Sequence, residues 1–163
     1  MPLSDRSLVV TSSRMKAAMV DQISTQRRSV VMAAIKSKNT GPEIRVRKTA
    51  HSMGLRFRLH RTDLPGNPDL VFPKLNVAVS VHGCFWHQHT GCRRASVPKS
   101  RTEYWEAKLR RNVERDAWSG PALRLAGWRS VVIWECETHN YEMLTRILRD
   151  RVIRERRAST RDY

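Results

Sequence analysis

The spacing of apolar positions changes along the chain. Val31, Ala34 and Ile35 recur at helical spacing, and Lys36-Ser-Lys-Asn39 ends that short face with positive charge. Thr40-Gly-Pro-Glu43 has the composition of a helix start: Thr can cap the first amides, Pro suits the first turn and Glu43 can complete a capping box. This helix is predicted to run to about Met53 and stop at Gly54. The pattern then shortens. Arg56 to His60, Asp69 to Phe72 and Asn76 to Val81 alternate or run apolar, as strands do, and the turn-forming Leu64-Pro-Gly-Asn-Pro68 and Pro73-Lys-Leu-Asn76 separate them. Further on, Ser100-Arg-Thr-Glu103 can cap a long helix through about Trp118, and Gly127 closes a further short one. Arg129 to Trp134 reads as a last core strand, and Leu144, Ile147, Leu148 and Val152 line a closing amphipathic helix. This order predicts an α/β domain with one central mixed sheet flanked by helices.

With 163 residues, the chain suits a single domain. Residues 1–26 show little periodicity and are expected to form a flexible arm, residues 27–153 the folded domain, and residues 154–163 a basic tail. The net charge is +16, from 31 Lys and Arg against 15 Asp and Glu, and +13 of it falls within residues 27–153. A folded body this basic implies a polyanionic partner, and nucleic acid suits it better than a membrane surface. No apolar run is long enough to span a bilayer, and no basic amphipathic helix carries aromatic anchors.

The densest chemistry lies in His82-Gly-Cys-Phe-Trp-His-Gln-His-Thr-Gly-Cys92. The chain has three cysteines, Cys84, Cys92 and Cys136, and no secretory leader is apparent, so a disulfide framework is not expected. Three thiolates and one imidazole make a closed tetrahedral Zn²⁺ site, and Cys84, His89, Cys92 and Cys136 supply that set, with His87 the competitor for the imidazole position. Zinc held by four protein groups has no open position and staples loops rather than performing chemistry. The bland alternative is buried free thiols beside surface histidines.

Catalytic chemistry is expected where strands end. Asp69 heads one apolar strand, and the next delivers His82 into the Cys/His loop, so an acid and an imidazole can face one cleft. Phosphodiester hydrolysis needs charge neutralisation and an activated water, both commonly supplied with Mg²⁺ on carboxylate and backbone oxygens, and Asp69 is the natural ligand.

Six motifs occur in order: Met32-x2-Ile-x-Ser-Lys-Asn-Thr-x2-Glu43, Leu64-Pro-Gly-x-Pro-Asp69, His82-Gly-Cys-Phe-Trp-His87, Arg101-Thr-Glu-x-Trp105, Asn112-Val-Glu-Arg-Asp116 and Gly127-Trp-Arg with Trp134-Glu-Cys136. Over residues 28–153 the chain resembles the very-short-patch repair (Vsr) endonucleases, bacterial DNA mismatch nickases. The resemblance implies a restriction-endonuclease-like fold, a cytoplasmic, nucleoid-associated location and a nick in duplex DNA 5′ of the thymine in a T:G mismatch, the product of 5-methylcytosine deamination. It further implies two Mg²⁺ ions and one structural Zn²⁺. Asp69 becomes the central Mg²⁺ ligand and His87 the general base or water-orienting group. His82 and Glu43 act near the metals through water, and the Val81 carbonyl is a further ligand. The Glu-x-Lys element usual in that fold is missing from the family and from this chain, and imidazoles take over the handling of water.

The same resemblance makes Phe85, Trp86 and Trp105 wedges that replace lost base stacking beside a weak pair, against the plainer reading that all three are core. Trp118, Trp128 and Trp134 are expected to be packing residues. Glu43 can equally be a capping acid. Asn112 and Asp116, one helical turn apart, can contact DNA, brace the site or form an ordinary surface pair. Lys36, Lys38, Arg45, Arg101, Arg110 and Arg111 are candidate phosphate contacts. No role is expected for His51, His60 or His139. A monomer is expected, because a T:G mismatch has no two-fold symmetry, and mismatch-repair proteins are candidate partners. Two rivals remain: an endonuclease of the same fold that cuts intact duplex, and a non-catalytic zinc module that binds DNA.

Overall fold

The computed structural model describes residues 38–99 and 101–154. The expected short helix face at Val31, Ala34 and Ile35, the candidate contact Lys36 and the capping residue Ser100 lie outside the described residues. Helix α1 spans Gly41–Ser52 and starts as its sequence predicts. The Thr40 side chain accepts from the Glu43 amide while the Glu43 carboxylate accepts from the Thr40 amide, and Pro42 sits in the first turn. Gly54, at φ +74°, takes the left-handed conformation just past its end.

Strands β1 (Arg58–Leu59), β2 (Leu70–Phe72), β3 (Val77–His82) and β4 (Arg129–Trp134) form a sheet in the order β1-β2-β3-β4. The first two pairings are antiparallel, and β3 runs parallel to β4 with Val77 opposite Arg129 and His82 opposite Trp134. A parallel pair needs a long crossover, and α2 (Thr102–Leu125) provides it. On one face of the sheet, Leu70, Phe72, Val77, Val79, Val131 and Ile133 pack with Val46 and Ala50 of α1. Leu144 of α3 (Tyr141–Ile147) joins them, as do Leu148 and Val152 of the π-helical turn Leu148–Ile153 that follows. On the opposite face, Val71 and Ala78 meet Leu64, Leu123 of α2 and Trp128. Alternate residues of β2 and of the first half of β3 therefore enter two cores, which is why Leu70–Phe72 and residues 77–79 are apolar throughout.

The mixed sheet flanked by helices agrees with the α/β expectation, with corrections in detail. β1 is only two residues long, and both are exposed, as befits a short edge strand. The helix expected to end near Trp118 continues to Leu125, so no separate short helix precedes Gly127. Pro121 lies inside it, yet the seating of Leu123 against Val71 and Ala78 keeps the last turn in register. Trp118 is no packing residue. It is 62 % exposed on α2.

Gly66 links this frame to chemistry. It lies at φ +75°, and a Cβ added there would sit 2.6 Å from the Ser119 Cβ, so the loop from Leu64 to Pro68 approaches α2 more closely than any side chain permits. Asp69 follows directly on this loop.

Candidate active site and metal centre

The C-terminal end of β3 feeds two groups of side chains on either side of one loop. On the first side are Cys84, His89, Cys92 and Cys136, whose ligand atoms all lie within 4.8 Å of one another. His89 Nδ1 is 3.6 Å from Cys84 Sγ and 3.4 Å from Cys136 Sγ. Zn–S and Zn–N bonds of ordinary length at a tetrahedral angle put sulfur and nitrogen about 3.6 Å apart, so the spacing fits that ion. The His89 ring stacks on Trp134 at 4.1 Å, which fixes its orientation. Burial pushes the Cys84 thiol up to about 12 and raises Cys136 as well. Ionising these thiols calls for a cation among them, the expected state of a metal centre. His87, the competitor for the imidazole position, is not part of this group.

His87 points to the other side. Its ring stacks on His82 at 3.9 Å, and its Nδ1 lies 2.5 Å from Asp116 Oδ2. Asp116 belongs to α2, and His82 Nδ1 lies 3.8 Å from the same carboxylate oxygen. Burial alone would raise Asp116, but the His87 hydrogen bond and the nearby His82 hold it below the usual carboxylate range. Burial drives His82 down to about 4, so its ring is neutral at pH 7. With Asp116 accepting from His87 Nδ1–H, the His87 Nε2 lone pair is left to take a proton. Asn112, one turn before Asp116, donates to the Trp86 carbonyl at 3.0 Å. Asn112 and Asp116 thus both hydrogen-bond the loop that follows β3.

Asp69 stands beside this pair. Its Oδ2 accepts from the Val81 amide at 2.7 Å, which ties the head of β2 to β3. Burial raises its carboxyl to about 6, against the Val81 hydrogen bond and with help from nearby Glu43. Asp69, Glu43 and His60 form a second compact set of potential metal ligands, and His82, His87 and Asp116 a third. Glu43 is 2 % exposed. Its oxygens already accept from the Asn39 amide, the Thr40 amide and hydroxyl, and Arg47, so its capping role is real and leaves it suited to act through water. His60, for which no role was expected, is brought here because its amide bonds the Asp69 carbonyl at 3.3 Å, extending the β1-β2 pairing by one step. Sequence reasoning also passed over Arg47, which reaches both Glu43 and His60; its i,i+4 spacing from Glu43 was the available signal.

The three expected wedge residues pack against one another. Phe85 is 8 % exposed and Trp105 1 %, while Trp86 is half-buried with the Lys108 ammonium 5.4 Å from its ring centroid. The Trp105 Nε1 atom is buried without a partner. Among the basic candidates, Lys38, Arg101, Arg110 and Arg111 are exposed. Arg45 instead donates to the Thr138 hydroxyl at 3.1 and 3.0 Å, and so braces α1 against the turn after β4 rather than facing outward. No described helix is long and apolar enough to cross a membrane.

A family model described as DNA mismatch endonuclease Vsr matches residues 20–94. The chain is 49 % identical over 132 residues to the Type II nicking enzyme V.XorIIP of Xanthomonas oryzae, covering 81 % of this chain and 96 % of that protein. Identity to the Type II nicking enzyme V.NmeAIP of Neisseria meningitidis is 40 % over 136 residues, 81 % of this chain and 96 % of the relative. The DNA mismatch endonuclease Vsr of Escherichia coli is 39 % identical over 127 residues, 78 % of this chain and 81 % of the relative.

Proposed function

The chain belongs to the Vsr family of DNA mismatch endonucleases, and on that premise we propose that it makes a Mg²⁺-dependent nick in duplex DNA 5′ of the thymine of a T:G mismatch. The observation that carries this reading is that Asp69, hydrogen-bonded to Val81 next to His82, is near enough to His87 to feel its charge, while His87 is itself held by Asp116. A hydrolytic site needs an oxygen donor for a hard cation and a base for water, and here the two lie side by side.

The Asp69 carboxylate and the Val81 carbonyl are hard oxygen donors of the kind Mg²⁺ prefers, and they would hold it, with Glu43 and His82 acting through water. When bound, Mg²⁺ neutralises charge at the scissile phosphate. His87 Nε2 takes the proton of the attacking water, and Asp116 holds the ring in the correct tautomer and stabilises the imidazolium that forms. The Cys84, His89, Cys92 and Cys136 group would hold a structural zinc, which would fix the loop carrying His87. Phe85, Trp86 and Trp105 act as one aromatic block beside the mismatch, where a weak pair opens at lower cost. The nucleic-acid partner accounts for the net charge of +16. The protein acts as a monomer in the bacterial cytoplasm on deaminated 5-methylcytosine, with mismatch-repair proteins as candidate partners. The names of the relatives as nicking enzymes support cleavage of one strand.

The test uses end-labelled duplexes that differ only by one T:G or T:A pair, in several flanking contexts, with and without Mg²⁺. A single nick 5′ of the mismatched thymine, lost when Mg²⁺ is withheld, is expected. Equal cutting of both duplexes would instead support the same-fold endonuclease of intact DNA. Binding of all duplexes without cleavage would leave the non-catalytic zinc module.

A further inference from the structure

We propose that Arg47 is a built-in counter-cation of the acid cluster, holding the place between Glu43 and His60 that a divalent ion must take, so that the guanidinium and the ion exclude each other. This rests on the reading that Glu43 and Asp69 serve a divalent cation.

The geometry is direct. Arg47 Nη2 lies 2.7 Å from Glu43 Oε2 and 3.0 Å from His60 Nε2, and those two acceptor atoms are 3.9 Å apart. A guanidinium has only donors, so in this contact His60 Nε2 is the acceptor. Its lone pair and the Glu43 oxygen are the acceptors that an ion on Asp69, or the water it carries, would need, and with an Asp69 oxygen they form a set within 4.8 Å. One cation can use them at a time.

Arg47 is also an unusual choice for a purely structural partner. Its Nε is buried without a hydrogen bond, so the head group forgoes part of its bonding capacity to place Nη2 on this pair and Nη1 on Asn39 Oδ1 at 2.5 Å. Glu43 does not need it for alignment, since Asn39 and Thr40 already hold both carboxylate oxygens. What Arg47 adds is charge. With it, Glu43, Asp69 and Arg47 sum to one negative charge; without it they sum to two, and a divalent ion is drawn in more strongly. Arg47 is thus a positioning residue that sets the ion concentration at which the site becomes competent.

The experiment measures Mn²⁺ binding to the zinc-loaded full chain without DNA, from the electron paramagnetic resonance signal of free Mn²⁺. Arg47→Met is expected to tighten Mn²⁺ binding by about tenfold or more, the scale of removing one unit charge from a partly buried site. A brace whose loss merely loosened Glu43 would weaken binding instead, so unchanged or weaker binding by a folded Arg47→Met protein overturns the proposal. His60→Asn provides a second variant, because Asn tolerates the left-handed backbone at position 60, where φ is +45°. It should weaken Mn²⁺ binding and abolish the gain in the double variant, and wild-type affinity in His60→Asn overturns the proposal even if Arg47→Met fails to fold. Because no DNA is present, the result stands apart from whether T:G duplexes are nicked.

Discussion

Replacing Asp69 by Asn should make the protein more stable and inactive. The Asp69 carboxyl is raised to about 6 by burial, from an ordinary value of 3.8 in the unfolded chain. The folded state therefore resists ionisation of this group, and the fold bears the cost wherever the group is charged. Below the unfolded value both states are protonated and the cost vanishes; it grows as pH rises through the interval and is complete above the folded value. A shift of about two units corresponds to about 3 kcal/mol at pH 7.5, and roughly half of that remains at pH 5. Asparagine has no charge to desolvate, and its carbonyl can still accept from the Val81 amide. In Mg²⁺-free buffer, with zinc content verified, Asp69→Asn should melt roughly 5–10 °C higher at pH 7.5 and gain less at pH 5. Adding Mg²⁺ should raise the melting temperature of the wild type and leave the variant where it was. Nicking should be lost. A variant that melts at or below the wild type at pH 7.5 would refute the reasoning, since Asp69 would then be an ordinary structural carboxylate.

Asp116→Asn should leave the melting temperature nearly unchanged but lower the nicking rate by about 10²–10⁴-fold, the usual worth of a general base, because an amide no longer enforces the productive His87 tautomer; a rate within twofold of wild type would remove Asp116 from the reaction. In Cys136→Ser, bound zinc should fall from about one per chain to near zero by elemental analysis, with a lower melting temperature; full zinc retention would show that Cys136 is not a ligand. Gly66→Ala combines a left-handed backbone with a 2.6 Å clash on Ser119, and should cost about 2 kcal/mol or more in urea unfolding. An unmoved urea midpoint would mean that the Leu64 to Pro68 loop does not press on α2.

Much of this was legible in the residues. The capping box at Thr40 and Glu43 is a local interaction, and β3 and β4 carry the apolar stretches 77–79 and 131–134, so both could be read without knowing their neighbours. The grouping of Cys84, His89, Cys92 and Cys136 was legible because three of the four lie within nine residues, at spacings that suit one tetrahedral ion. What sequence could not show was long-range. His60 joins Asp69 through a backbone bond between strands, and Asp116 meets His87 only because α2 crosses back over the sheet. Trp118 misled because aromatic character alone does not say which side of a helix faces the sheet. The run through Pro121 misled for a related reason: the local propensity of proline was overridden by where Leu123 had to pack.

The parallel pairing of β3 with β4 also bears on when, during its own synthesis, this protein becomes dangerous to DNA. Every catalytic candidate from Glu43 to Asp116 leaves the ribosome before Arg129–Trp134, the strand that completes the frame, and before Cys136, the last of the zinc-site thiols. Asp69 and its partner Val81 are 12 residues apart and His87 and Asp116 are 29 apart, and the sheet that carries them is completed only when β4 pairs with β3. On the proposed site, a chain stalled before β4 carries the candidate cutting residues without the strand and the last thiol that complete their frame, so a nuclease of this design is expected to stay inactive until it is nearly finished.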